Sequence, residues 1–486
     1  MHMSVSHWSG FEERLLGQFP HTPTAGQQRL MHAVARFASS AQPRCALVIR
    51  GYAGTGKTTS VGAVVRALGE VGVPVVLLAP TGRAAKVLSD YAGLPASTIH
   101  RHIYHQTRGR DGWPVTALAP NLRQGAVFIV DEASMIGEDA GPASDAGAFQ
   151  YRSLLEDLLS FVFNGEDCRI ILVGDDAQLP PVGSPLSPAL DEDVLRDGFG
   201  LTVATLKLTE VVRQELDSGI LWNAHQLRLQ IDAGTSGFPA LQTLRFPDIH
   251  PLAGNDLQEL LETLHGRYGE DGVVVITRSN KRANLFNQQI RHRILWQEED
   301  FNAGDRLMVV KNNYHWLATQ TSLANTLIAN GDTLEVRRVR KRMERYGQEF
   351  VDAELAFTDL PDLPPFEARV HLSVLHLEQP SLPAAQMQAL YDAVAEDHSH
   401  LGDKRRIHKA VKEDPTYQAL QVKFAWAITC HKAQGGQWPA VIVDAGYLTE
   451  EMLNTELLRW FYTAFTRAQR ELYLLNFPDA FFQEPQ

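Results

Sequence analysis

The run Gly51-Tyr52-Ala53-Gly54-Thr55-Gly56-Lys57-Thr58 lies between an apolar segment, residues 45–50, and a stretch in which Val61, Val64, Val65 and Leu68 recur at i, i+3, i+4 and i+7. A strand, a glycine-rich turn and an amphipathic helix in that order leave the chain little freedom. The glycines bring backbone N–H groups close to one point, and the helix N-terminus adds positive potential there. Such a point holds phosphate. Lys57 can reach the β and γ phosphates of a nucleotide, and the Thr58 hydroxyl can hold Mg²⁺. Residue usage gives on the order of 0.02 chance matches in a chain of this length, so nucleotide binding is the first expectation. Gly54, Thr55, Gly56, Lys57, Thr58 and Thr59 form the expected cradle.

The chemistry that follows needs acids. Phe128-Ile129-Val130-Asp131-Glu132 places two carboxylates at the end of an apolar run. There Asp131 would serve a hard cation and Glu132 an attacking water. A third strand-end loop, Gly174-Asp175-Asp176-Ala177-Gln178, offers in Gln178 an amide able to bond both phosphate and water. Phosphoryl transfer also needs cationic groups near the γ phosphate. Arg213, in Leu208-Thr209-Glu210-Val211-Val212-Arg213-Gln214, and Arg467, in Tyr462-Thr463-Ala464-Phe465-Thr466-Arg467-Ala468, are candidates, although an arbitrary arginine is more often a solvated surface residue.

Short β-branched runs at 45–50, 75–79, 126–130 and 169–173 alternate with helical patterns. Continuous apolar strands of this length suit a parallel sheet covered on both faces, and the alternation to about residue 214 reads as one doubly wound α/β domain. A second set of strands, at 273–277, 424–429, 440–444 and 472–475, suggests a second such domain interrupted by an insertion. Within the insertion, 306–310 and 333–339 are strand-like, and Asn330-Gly331 is a plausible tight turn. A Pro-rich stretch (Pro361, Pro364, Pro365) and a polar helical segment from Pro383 to about Lys412 follow. Between His100 and Gln124, strands at 103–106 and 114–118 read as a projecting β-hairpin.

Net charge is −12 and pI about 5.8, which argues against a passive, charge-driven nucleic-acid coat but leaves room for a local positive groove. No apolar run approaches membrane-spanning length, and Met1–Gly10 lacks the basic and apolar regions of a secretory signal. The three cysteines, Cys45, Cys168 and Cys430, are far apart; Cys45 and Cys168 read as buried thiols, and a cytoplasmic setting is expected. His100, His102 and His105 cluster locally without a nearby cysteine. In a strand His105 would leave the face shared by the other two, so metal binding is disfavoured.

The ordered motifs resemble superfamily 1 helicases of the RecD-like and Dda-like branch. Thr24-Ala25-Gly26-Gln27 is similar to their adenine-recognition run. The phosphate loop, Ala79-Pro80-Thr81-Gly82-Arg83-Ala84-Ala85, Ser97-Thr98-Ile99-His100, Asp131-Glu132-Ala133-Ser134 and the 174–181 loop follow in the family's order. Gly304-Asp305-Arg306, Lys311-Asn312-Asn313-Tyr314, Asn330-Gly331-Asp332, Thr429-Cys430-His431-Lys432-Ala433-Gln434-Gly435 and the run 462–468 complete it. The matches extend from Thr24 to Ala468.

The resemblance implies two RecA-like P-loop domains with ATP and Mg²⁺ in the cleft between them. Gln27, Lys57, Thr58, Asp131, Glu132, Gln178 and Arg213 would come from the first domain and Arg467 from the second, with Thr58 and Asp131 on the metal. The first domain would comprise 1–102 and 123–214, with 103–122 as a strand-separating pin. The second would comprise 215–300 and 422–486, interrupted at 301–421 by an SH3-like barrel with a helical extension. Pro80, Thr81, His100, Thr429 and His431 would contact DNA; Trp113, Tyr314 and Trp316 could stack on bases. Gly435 and Gln437 would lie on the nucleotide, although the family often carries Glu where this chain has Gln437. The implied activity is ATP-dependent 5′→3′ movement on single-stranded DNA and unwinding of tailed duplexes, by a monomer without a membrane partner. RNA is a lesser alternative substrate. A regulatory P-loop switch is the other class considered, but it has no use for arginine motifs on two domains.

Overall fold

Strands that are apolar throughout must be covered on both faces, and two of the three large sheets meet that demand. The computed structural model describes residues 10–108, 114–137, 153–181, 183–184, 186–210, 217–235, 237–317, 327–360 and 362–482. In chain order, β1 is Cys45–Gly51, β2 Val75–Ala79, β3 Ala96–Thr98, β4 Tyr104–Arg108, β5 Pro114–Leu118, β6 Val127–Val130, β7 Arg169–Gly174 and β8 Thr202–Leu208. Six of these form a parallel sheet in the order β3-β2-β6-β7-β1-β8. Along β1, Leu47 and Ile49 enter one core, shared with Val61, Val64, Val65 and Leu68. Ala46 and Val48 enter the other, shared with Leu155, Leu158 and Val162. The helix periodicity after the phosphate loop is therefore a buried stripe, from Lys57 to Glu70.

The hairpin β4–β5 pairs Tyr104 with Leu118 and Arg108 with Pro114. It starts one residue later than the sequence reading, because Thr98 caps a short helix, Ile99–Ile103, by accepting from the Arg101 amide at 3.2 Å. His100 and His102 are consequently helical, and His102 packs its edge against Phe128 and Phe161. Among the described residues no group of His, Cys, Asp and Glu is placed to hold a metal, and no helix is long and apolar enough to cross a membrane. The three cysteines are buried thiols.

The next strands are β9 (Ile249–Leu252), β10 (Val273–Thr277), β11 (Arg306–Val309), β12 (Thr333–Arg345), β13 (Gln348–Phe357), β14 (Phe366–His371), β15 (Val422–Phe424), β16 (Ala427–Thr429), β17 (Trp438–Asp444) and β18 (Ala468–Leu475). A second parallel sheet runs β16-β10-β17-β18-β9, and an antiparallel one β14-β13-β12-β11-β15. The single strand expected over 424–429 is thus two strands in two sheets. Ala425 donates to the Arg306 carbonyl on one side, and the Trp426 carbonyl accepts from Val275 on the other. Buried Trp426 marks the crossing, with its indole N–H on Glu270 at 2.9 Å. The break near residue 425 places β15, at the start of the expected 422–486 segment, with the inserted sheet.

β12 runs on to Arg345, beyond the expected 339, with register shifts at Val336/Arg338 and Val339/Lys341. Its distal end has somewhere to pack. The polar helical segment is two helices, Ala384–Asp397 and Lys404–Glu413, broken at Gly402, where φ is 70°. Their apolar Leu390, Val394 and Val411 cover Phe350.

A fully buried ion pair joins the second parallel sheet's helical flank to the antiparallel sheet. Arg291 Nε and Nη2 donate to the two oxygens of Asp305 at 2.9 and 3.0 Å, both side chains are buried, and the Phe424 ring lies 4.4 Å beneath the guanidinium. Removing one partner strands a buried charge, which costs about 3–5 kcal/mol. We expect Asp305→Ala to lower the urea midpoint by that equivalent. The double replacement Arg291→Met with Asp305→Leu should cost less than Asp305→Ala alone.

Candidate nucleotide site and nucleic-acid interface

The phosphate loop closes because glycine sits where the backbone is left-handed: φ is 78° at Gly54 and 75° at Gly56, immediately before the helix. At Gly51 the reason is space, since a Cβ would stand 2.8 Å from Lys57 Cγ. Lys57 folds back over the loop. Its ammonium donates to the carbonyls of Gly51 and Tyr52, the latter at 2.9 Å, and lies 3.7 Å from Asp175 Oδ2. Thr55 is buried and donates to the Tyr52 carbonyl at 2.8 Å, while Thr58 is exposed at the helix start, beside Thr59.

β6 delivers the two acids. Asp131 Oδ1 accepts from the Glu132 amide at 2.9 Å, and Oδ2 accepts the Tyr91 hydroxyl. Glu132 adopts φ 51°, a left-handed conformation uncommon outside glycine and frequent at functional sites. Burial pushes its carboxyl above the ordinary range and Asp131 adds to that, while the Arg467 guanidinium, 3.7 Å away, pulls it back. A carboxylate so raised is a stronger base toward water. Gln178 is buried nearby on the 174–181 loop, and its Oε1 has no hydrogen-bond partner.

The opposite wall is the helix Thr455–Phe465 and the residues that follow it. Tyr462 accepts from the Ala53 amide at 2.8 Å and donates to Asp175 at 2.7 Å, linking the phosphate loop to the third strand-end loop. The Leu179 amide donates to Thr463 Oγ1 at 2.8 Å, Gln434 Nε2 donates to the Leu179 carbonyl at 2.7 Å, and Arg459 donates to the Asp176 carbonyl at 2.9 Å. Arg467 is 3% exposed. It is held by the carbonyls of Thr463 (3.0 Å) and Gly436 (3.3 Å).

Lys57, Asp131, Glu132, Gln178 and Arg467 are thus brought together. Arg213 and Trp113 lie outside the described residues. Gln27 is fully buried in a capping box: its Oε1 accepts from Thr24 N at 2.9 Å and its backbone amide donates to Thr24 Oγ1 at 3.2 Å. That leaves Nε2 as a buried donor without a partner. Gln437 is exposed and accepts from Gln469 at 3.1 Å. Gly435, with φ 72°, lies against the first sheet's unit; a Cβ there would meet Ala84 Cβ at 2.9 Å and Thr81 Oγ1 at 3.1 Å.

Thr81, just after Pro80, caps the helix Gly82–Ala92 by accepting from Ala84 N at 3.2 Å. His100 packs near the Tyr104 ring, and burial holds its pKa down at about 4, so the imidazole is neutral at physiological pH. Thr429 ends β16 and His431 follows on a four-residue helix. Sequence reasoning did not assign roles to Asp175, Tyr462, Thr463, Gln434 or Arg459, although Asp175, Tyr462, Thr463 and Gln434 stand inside the motifs that drew attention. Tyr91, forty residues before Asp131, carried no local signal.

The AAA domain family matches residues 23–243, and the UvrD-like helicase C-terminal domain family matches residues 424–475. The ATP-dependent RecD2 DNA helicase of Deinococcus radiodurans is 29% identical over 322 residues, 64% of this chain and 40% of that protein. The two family matches and this relative support the likeness to the RecD-like and Dda-like branch of superfamily 1. The ATP-dependent DNA helicase dda of Enterobacteria phage T4 is 27% identical over 296 residues, 59% of this chain and 60% of that protein. The chain spans roughly two fifths to three fifths of the length of these curated relatives. A solved Pif1 helicase from Bacteroides, in complex with ADP-AlF3 and ssDNA, aligns over 96% of this chain and 95% of its own at 15% identity, with a TM-score of 0.45.

The Tyr462 hydroxyl is the donor that buried Asp175 receives from across the cleft. Deleting a hydrogen bond to a charged group costs about 1.5–3 kcal/mol. Tyr462→Phe should lower the thermal midpoint accordingly. An unchanged midpoint would mean that the bridge does not hold the two walls together.

Proposed function

We propose that the chain is an ATP-driven motor that moves 5′→3′ along single-stranded DNA and unwinds tailed duplexes. One observation carries the reading: Arg467, from the unit built on the second parallel sheet, reaches Glu132 on the first at 3.7 Å, beside the phosphate loop. A guanidinium supplied from across a cleft makes turnover depend on closure, and hydrolysis then permits reopening.

In this reading the parallel sheets are the cores of two RecA-like domains, 1–102 with 123–214, and 215–300 with the segment after about 425. The antiparallel sheet with its two helices is the SH3-like insertion and its extension. Gln27 reads the adenine through its free Nε2, and the 54–59 backbone and Lys57 hold the phosphates. Glu132 orients and deprotonates the water, Gln178 bonds the γ phosphate and the water, and Arg213 and Arg467 neutralise the developing charge. The donor set of Thr58 hydroxyl and Asp131 carboxylate suits a hard divalent cation. Mg²⁺ held there would neutralise phosphate charge. Gly435 and Gln437 border the nucleotide from the second domain.

The strand would pass over Pro80, Thr81 and His100 on one domain and Thr429 and His431 on the other. The β4–β5 hairpin would act as the pin, with Trp113, in the sequence between its strands, stacking on the last base pair. The motor is proposed to act as a cytoplasmic monomer.

ATP turnover measured with and without single-stranded DNA tests the reading; a rate indifferent to DNA would sink it. Arg467→Ala should lower turnover by about 10³-fold or more on the arginine-finger scale, with ATP affinity little changed. A loss confined to affinity would assign Arg467 to ground-state binding. Polarity is read from tailed duplexes: a 5′ tail should support unwinding and a 3′ tail should not. Preference for the 3′ tail would contradict the direction proposed.

A further inference from the structure

Tyr52, the second residue of the phosphate loop, packs into the core of the second unit. It is 3% exposed and clusters with Ile220, Ala224 and Leu227, which in turn pack against Val274 and Ile276 of the second sheet. Ile220, Ala224 and Leu227 lie on the helix Gly219–Ala233, which also carries Arg228 and Asp232. The Arg228 guanidinium lies 4.3 Å from the Tyr52 ring centroid, and the Tyr52 hydroxyl donates to Asp232 at 3.3 Å.

Arg228 is itself buried, yet its Nε and Nη1 have no hydrogen-bond partner. The carboxylate on its own helix, Asp232, stands 3.9 Å from Nε. A buried cation without hydrogen bonds is costly. The face of an aromatic ring offsets that cost most strongly when water is excluded. Here the ring belongs to the loop that holds phosphate, and the cation to the opposite unit. Separating the two units would return both groups to water and end the contact.

We propose that Arg228 is a positioning residue that couples the seating of the second unit to the phosphate loop through the ring of Tyr52. The proposal rests on the motor reading above. It adds a link distinct from Arg467: Arg467 approaches the hydrolysis site directly, whereas Arg228 acts only on the loop's conformation.

The test measures steady-state ATP turnover of the full chain, with and without oligothymidylate, for the wild type and four variants. These are Arg228→Met, Arg228→Lys, Tyr52→Leu and the double variant Tyr52→Leu with Arg228→Met. Methionine keeps the apolar stem and removes the charge. DNA-stimulated kcat should fall about tenfold in Arg228→Met and in Tyr52→Leu, with the KM for ATP little changed. The double variant should be no worse than the poorer single, and Arg228→Lys should recover part of the loss. Full stimulated turnover in Arg228→Met, or losses that multiply in the double variant, would overturn the coupling. If Tyr52→Leu melts out, the methionine and lysine variants at 228 decide the question between them. A wild type that ignores DNA removes the motor reading instead, whereas a stimulated wild type with unaffected variants removes only this inference.

Discussion

The phenol of Tyr462 occupies the junction on which the rest of the arrangement depends. Its oxygen takes the Ala53 amide and gives its proton to Asp175, while Lys57 approaches the same carboxylate oxygen at 3.7 Å. Two loops from one sheet are thereby held to a helix from the other. Burial pushes the Asp175 carboxyl upward, and Lys57 and Tyr462 counter that. A buried carboxylate is tolerated only when donors surround it, so its stability as an anion requires both units in place. The phosphate-loop geometry and the seating of the two units are coupled by this requirement.

A comparable constraint seats the antiparallel sheet. Arg101 Nη2 meets Asp332 Oδ2 at 2.5 Å and donates through Nε to the Leu327 carbonyl at 3.2 Å. Gly82 lies against the same carboxylate, where a Cβ would stand 2.8 Å from its oxygen. Burial pushes the Asp332 carboxyl up to about 6, the Arg101 guanidinium drawing it down and Asp359 raising it again. Arg83 lies between the Trp438 ring, at 4.4 Å, and Asp359, at 3.8 Å. The helix that begins at Gly82 therefore touches the inserted sheet and the second parallel sheet at once. A shift of either unit would be felt at Thr81, which caps that helix and faces both Gly331 and Gly435.

Local signals served well where the chain's own neighbours impose the geometry. The phosphate loop was legible because strand, glycine turn and helix are contiguous, and the apolar runs at 75–79 and 273–277 coincide with β2 and β10. They failed where a partner strand decides. The segment 424–428 is uniformly apolar, so periodicity could not reveal that the chain changes sheets at Ala425–Trp426. β8, whose residues are mostly exposed at the edge of the first sheet, and β9, on the edge of the second, gave no continuous apolar run and were not anticipated.

By itself the sequence determined the phosphate loop, the acids at the end of β6, the buried helix stripe and the ordered motifs that resemble those of superfamily 1 helicases. Each depends on residues adjacent in the chain, where spacing fixes which groups share a face or a turn. Only the tertiary structure decided that Tyr91 serves Asp131, that Tyr462 bridges Ala53 and Asp175, and that Arg228 lies over Tyr52. Those contacts join residues 40 to 409 positions apart. Their energy comes from shared burial, and no local pattern encodes which distant donor will meet a buried acid.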